Sequence, residues 1–86
     1  MPVITGTVRA LKVGFDYADA TVLDEDDGIE EHVTVFSRSN DATAYERVID
    51  SMLVSLLKDA LVHNRRVEVR VGSTSGNVQY VNLLSS

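Results

Sequence analysis

The chain predicts an α+β fold, mainly β, with five strands and a single helix between the third and fourth. Two observations carry this reading. Apolar residues recur at helical steps over one long stretch, Ala42–His63, and segments with two-residue alternation flank it on both sides. The length, 86 residues, then sets one domain over 1–86.

Val3–Val13 reads as a long first strand whose alternation slips: Ile4, Gly6 and Val8 share one phase, Leu11 and Val13 the other. A bulge near Arg9–Ala10 explains the slip, and Gly6 marks a sharp bend or a close backbone neighbour. Gly14–Tyr17 is a short connector. Ala18–Asp24 is the second strand, with Ala18, Ala20 and Val22 on one face. Asp24–Gly28 turns the chain, and Asp27-Gly28 is a favourable hairpin dipeptide. Ile29–Phe36 is the third strand, with Val33 and Val35 facing one way and His32, Thr34 and Phe36 the other.

Ser37–Asp41 leads into the helix. Tyr45, Ile49, Met52, Leu53, Leu56 and Ala60 share one face and are expected to pack on the sheet. Thr43 and Glu46 have the spacing of a capping box, and Asp41 is an alternative cap. His63 and Asn64 suit the helix end. Val54, Leu57 and Leu61 form a second apolar strip, interrupted by Asp50. A surface helix on a monomer needs one apolar stripe. The second strip is therefore either covered by a loop or packed against another copy of the chain, and Val54, Leu57 and Leu61 are the expected interface residues.

In Arg66–Val71, Val67, Val69 and Val71 face inward and Arg66, Glu68 and Arg70 outward. Gly72–Asn77 is a turn, and Val78–Leu84 is the last strand. A four-residue turn sets Val78 against Val71 and Tyr80 against Val69, the register that pairs apolar with apolar.

The order β-β-β-α-β-β, with Gly6, the slip near Arg9 and a helix feeding directly into RRVEVRV, resembles the OB-fold, a five-stranded antiparallel Greek-key barrel. An open antiparallel sheet packed by one helix satisfies the same pattern. The resemblance implies ligand contacts on the faces of strands two and three and in the loops joining strands one–two and four–five. Carried onto this chain, these are Phe15, Tyr17, Thr34, Phe36, Thr74 and Asn77, whose rings could stack on a polar oligomer. Alternatively, Phe15 and Phe36 simply close the ends of the barrel.

Composition narrows the classes. The absence of cysteine excludes disulfides, zinc–thiolate sites and thiol nucleophiles. The formal net charge is −5, with six acids crowded between Asp24 and Glu31. Neutralising phosphates needs a basic track, so an oligosaccharide is expected ahead of nucleic acid. DEDDGIEE lacks the ligand spacing of a calcium loop and reads as a solvated hairpin tip. His32 and His63 are not at metal-ligand spacing, and no nucleophile elbow, P-loop, dinucleotide fingerprint or HExxH motif occurs. No catalytic residue, metal or cofactor is expected. With no signal-like segment and no membrane span, the expected setting is the cytoplasm, although a removed signal peptide would leave the same chain. The sequence thus predicts a non-enzymatic, self-associating interaction domain or, alternatively, an OB-type module for a polar oligomer.

Overall fold

The structure, a computed structural model, describes residues 3–39, 41–72 and 76–85. Five strands and one helix follow the expected order: β1 Val3–Val13, β2 Tyr17–Asp24, β3 Glu30–Ser37, α1 Ala44–His63, β4 Arg66–Val71 and β5 Val78–Leu83. The strands lie in one sheet, β3-β2-β1-β4-β5, with every neighbouring pair antiparallel.

β1 holds the sheet together because it is long enough to serve two partners. Val3–Thr7 pairs with β4, and Gly6–Val13 pairs with β2. The expected bulge is present: the β1–β2 register shifts between Val8 and Ala10. Gly6 lies where both pairings overlap. A Cβ there would sit 1.7 Å from the Leu23 carbonyl oxygen, so this crossing requires a residue without a side chain.

A second register shift, between Ala18 and Asp19, leaves Val35 as the extra residue on β3. It changes the side-chain phase, so Phe36 turns inward beside Val35 instead of facing away from it; both are buried. A third shift, between Arg70 and Val71, corrects the last hairpin. Val78 pairs with Val71 as expected, but Tyr80 pairs with Arg70, and Val81 takes the place opposite Val69. Among the described residues, β3 meets the residue just before β5 at an isolated parallel bridge between Thr34 and Asn77.

The helix ends follow their local chemistry. Thr43 caps the first turn, with its hydroxyl accepting from Glu46 N–H at 3.1 Å and the Glu46 carboxylate accepting from Thr43 N–H at 3.0 Å. Asn64 closes the other end in the left-handed region, φ 51.

The rotation of α1 about its axis departs from expectation. Leu57 and Ala60 are fully buried, with Leu53, Val54 and Leu61 packed partly buried against the same core. Tyr45, Val48, Ile49 and Met52 are exposed, at 75%, 56%, 36% and 58%. Of the interface residues expected at Val54, Leu57 and Leu61, Leu57 is therefore covered by its own chain, while Val54 and Leu61 are half-buried against the same core. Of the strip expected to face the sheet, Ala60 and Leu53 do pack on the core and Leu56 is half-buried, whereas Tyr45, Ile49 and Met52 point outward instead. Asp50 explains the turn. It lies two turns before Leu57 on the same face and is itself buried, because Arg38 neutralises it.

The helix packs against β1, β3 and β5. The core beneath combines Val67 and Val69 of β4 with Ala18, Ala20 and Val22 of β2, all at most 2% exposed. Among the described residues, no helix is long and apolar enough to cross a membrane.

Candidate functional site

Two surfaces gather the residues that could meet a partner. The first lies at the loop between β1 and β2, over the N-terminal half of α1. The Phe15 ring is 79% exposed, and the Arg47 guanidinium lies over it, 4.7 Å from the ring centre. Arg47 also donates to the Phe15 carbonyl at 3.4 Å and approaches Asp16 Oδ1 to 3.6 Å, an ion-pair distance too long for a hydrogen bond. Beside this stack opens a cleft of about 200 Å³, lined by Val13, Phe15, Phe36, Arg47, Asp50, Ser51 and Val54. Tyr17 stands next in the chain, half-exposed, with Lys12 Nζ 5.8 Å from its ring centre.

Arg38 holds one lining residue of this cleft, Asp50, in place. Its Nε and Nη2 each donate to one Asp50 oxygen at 2.8 Å, and its Nη1 donates to Glu46 at 3.0 Å. Its backbone N–H donates to the Asp16 carbonyl at 2.7 Å, which ties the end of β3 to the β1–β2 loop. The fork of bonds to Asp50 holds the Arg38 guanidinium above its ordinary value. Glu46 is held below the carboxylate range, chiefly by the Thr43 backbone amide and then by the Thr43 hydroxyl.

The six expected ligand residues separate on this surface. Phe15 and Phe36 line the same cleft, but Phe36 is only 7% exposed and offers no open stacking face. Tyr17 flanks the loop. Thr34 and Asn77 are half-buried and joined by their bridge on the seam between β3 and β5. Thr74 lies outside the described residues. Arg47, Asp50 and Ser51 were not anticipated at the cleft, nor was Arg38 as the partner of Asp50. The signal available in the sequence was an acid, Asp50, on the same helical face as Val54 and Leu57, which requires a cation from elsewhere in the chain.

The second surface is the outward side of α1. Tyr45, Val48, Ile49 and Met52 recur there at steps of three and four, with half-buried Leu56 continuing the row. Asp59 and His63 end it, their side chains 3.5 Å apart.

The acidic tip is also tied down. Glu25 accepts two bonds from Arg66, both 2.9 Å, and this bonding lowers the Glu25 carboxyl below its ordinary value. Asp24 Oδ1 and Asp27 Oδ1 accept from Asp26 N–H and Ile29 N–H within the turn. Among the described residues, no group of three or more His, Asp or Glu side chains is arranged to hold a metal ion.

Fold and surfaces together define a small strand-rich α+β domain whose one helix among the described residues exposes an apolar row. Compared with known protein families, curated proteins and solved structures, the chain matches none.

Proposed function

We propose that this chain is a small non-enzymatic interaction domain that self-associates through the outward face of α1, on a five-stranded barrel of OB type. One observation carries the reading: four large apolar side chains, Tyr45, Val48, Ile49 and Met52, stand exposed in one contiguous helical row. Single exposed apolar residues are ordinary on a surface, whereas a continuous row on one element marks a contact. The barrel reading is supported by β4 returning across the helix to lie beside β1, as in a Greek-key path, and by the Thr34–Asn77 bridge from β3 to the residue just before β5. A cysteine-free chain fits a reducing compartment such as the cytoplasm.

Sedimentation equilibrium from micromolar to near-millimolar concentration tests the proposal. Wild-type mass is expected to rise above the protomer mass, and Met52→Asp to return it to the protomer while leaving the unfolding midpoint in place. A wild-type protomer mass at every concentration would remove the reading. Leu57→Asp does not serve, because Leu57 is in the core.

The exposed Phe15 ring beneath Arg47 favours a second reading, a binding module for a polar oligomer, with sugar ahead of nucleic acid. Sugar rings stack on such faces through C–H groups without needing the basic track that a phosphate chain requires. A glycan array with Phe15→Ala and Tyr17→Ala as controls tests it, and steep salt-dependent binding of single-stranded DNA would overturn the preference for sugar.

A further inference from the structure

We infer that the cleft between the β1–β2 loop and α1 holds a single neutral sugar ring, its apolar face on Phe15 and its hydroxyls on Asp50, Ser51 and Arg47. The inference rests on the reading of the chain as a module for a polar oligomer. It moves the contact from the faces of β2 and β3 onto the helix.

The polar groups at the cleft have bonding capacity left over. Asp50 is buried, its side chain only 5% exposed. A carboxylate accepts in about four directions, and Arg38 fills two of them. A guanidinium carries several N–H groups, yet among the described residues Arg47 makes one long hydrogen bond, 3.4 Å to the Phe15 carbonyl. Ser51 lines the cleft and has no hydrogen-bond partner among the described residues. Spare acceptors and unused donors therefore stand together on one turn of α1.

These groups select the chemistry of the occupant. Arg38 and Arg47 stand here among the carboxylates of Asp16, Glu46 and Asp50, and the whole chain is at −5. A phosphate or carboxylate ligand finds no surplus of positive charge. A purely apolar group would suit Val13, Phe36 and Val54, but it would leave the Ser51 hydroxyl and the spare Asp50 acceptors against hydrocarbon. What fits is a neutral group that donates and accepts around its rim and is apolar on its face. A pyranose has this form, with hydroxyls at the edge and C–H groups on one side of the ring.

The platform for that face is held in position. The backbone around Phe15 is tied three times: Gly14 N–H donates to the Tyr17 carbonyl at 2.7 Å, Arg38 N–H to the Asp16 carbonyl at 2.7 Å, and Arg47 to the Phe15 carbonyl. The Arg47 guanidinium covers one face of the ring, and a ring 79% exposed keeps the other open. An aromatic side chain already fixed in place stacks with little further loss of freedom. The cleft, about 200 Å³, is smaller than the roughly 300–1,000 Å³ typical of a drug-sized ligand's site, so one ring enters and the rest of an oligomer stays outside.

Titration of the isotope-labelled chain with the methyl glycosides of glucose, galactose and mannose, followed by amide NMR shifts, tests the site. At least one glycoside is expected to bind and to move the Phe15 and Ser51 amides ahead of those on β2 and β3. Ser51→Ala, at an exposed helical position, should leave the unfolding midpoint in place and weaken binding by about threefold to tenfold, the effect of losing one hydrogen bond. Phe15→Ala should weaken it at least as much. The corresponding glucuronide, which adds a carboxylate, should bind more weakly than the neutral glucoside.

The glycan array separates the two levels. No glycan bound removes both the module reading and this site. A glycan lost with Thr21→Ala, on the β2–β3 face where Thr21 bonds His32, but kept with Ser51→Ala, leaves the module and removes the cleft. Binding seen only with two or more rings would overturn the single-ring occupant. Cyclohexanol bound as tightly as the glycosides would identify an apolar occupant instead, and a glucuronide bound more tightly would overturn the charge argument.

Discussion

Arg38 grips Asp50 through both carboxylate oxygens, 2.8 Å each, from the segment just before α1 onto the buried face of that helix. The bond sets which way the helix turns. A carboxylate at 3% exposure needs a cation with matched geometry, and a planar guanidinium supplies two parallel bonds. With Asp50 turned inward, Leu57 follows it into the core, and Tyr45, Ile49 and Met52 are left in solvent.

Removing one member of this pair should cost more than removing both. Arg38→Met leaves a buried carboxylate without its partner and is expected to destabilise by about 3 kcal/mol. Arg38→Met with Asp50→Leu should recover most of that loss. A double-mutant cycle in urea measures the coupling, and additive effects would show that the pair does not set the stability of this face.

The helix rotation itself is open to test by truncation. Leu57→Ala should cost roughly 2–5 kcal/mol as a fully buried leucine. Tyr45→Ser and Ile49→Ser, measured where the protein is a protomer, should fall within about 0.5 kcal/mol of wild type. Equal losses at Leu57 and Ile49 would mean that both faces are covered within one chain.

Gly6 should tolerate no side chain. A Cβ 1.7 Å from the Leu23 carbonyl forces β1 and β2 apart where β1 also pairs with β4. Gly6→Ala is expected to lose about 3 kcal/mol or fail to fold. Gly28→Ala, with open space around it but φ 72, should lose less, on the order of 1 kcal/mol. Comparable midpoints for the two variants would contradict the tight crossing.

Acid should destabilise the fold through identifiable carboxylates. Thr43 lowers Glu46, and Arg66 lowers Glu25. A carboxyl depressed in the folded state binds its proton more readily when unfolded. Its contribution is therefore present above the unfolded value, roughly 4.3, and is lost as pH falls through the lower folded value. The urea midpoint should hold from about pH 7 to pH 5 and fall below about pH 4. Glu46→Gln with Glu25→Gln should begin lower at neutral pH and fall less steeply. An unchanged acid slope in that variant would move the effect to other carboxylates.

The element order was legible because it depends on local chemistry. Two-residue alternation in RRVEVRV, the Thr43–Glu46 box and the αL-tolerant Asn64 act within a few residues, and each element lies where these signals put it. The slip in β1 was equally readable, since a bulge shows as a change of phase. The bulges that moved Phe36 inward and Tyr80 opposite Arg70 were not, because their register depends on strands paired from elsewhere.

The cleft was only partly legible. Phe15 and Phe36 were expected near a ligand surface and do line it. Arg47 joins them because the turn of α1 carries its side chain over the Phe15 ring, and no local pattern indicates that.

By itself the sequence determined that this chain builds five strands and one helix, and that the helix carries more apolar circumference than one sheet covers. Which part of that circumference stays outside was decided by tertiary structure alone. Helical spacing defines two strips and is symmetric between them. The choice was made by Arg38, twelve residues before Asp50, whose bidentate bond exists only once the two segments have come together.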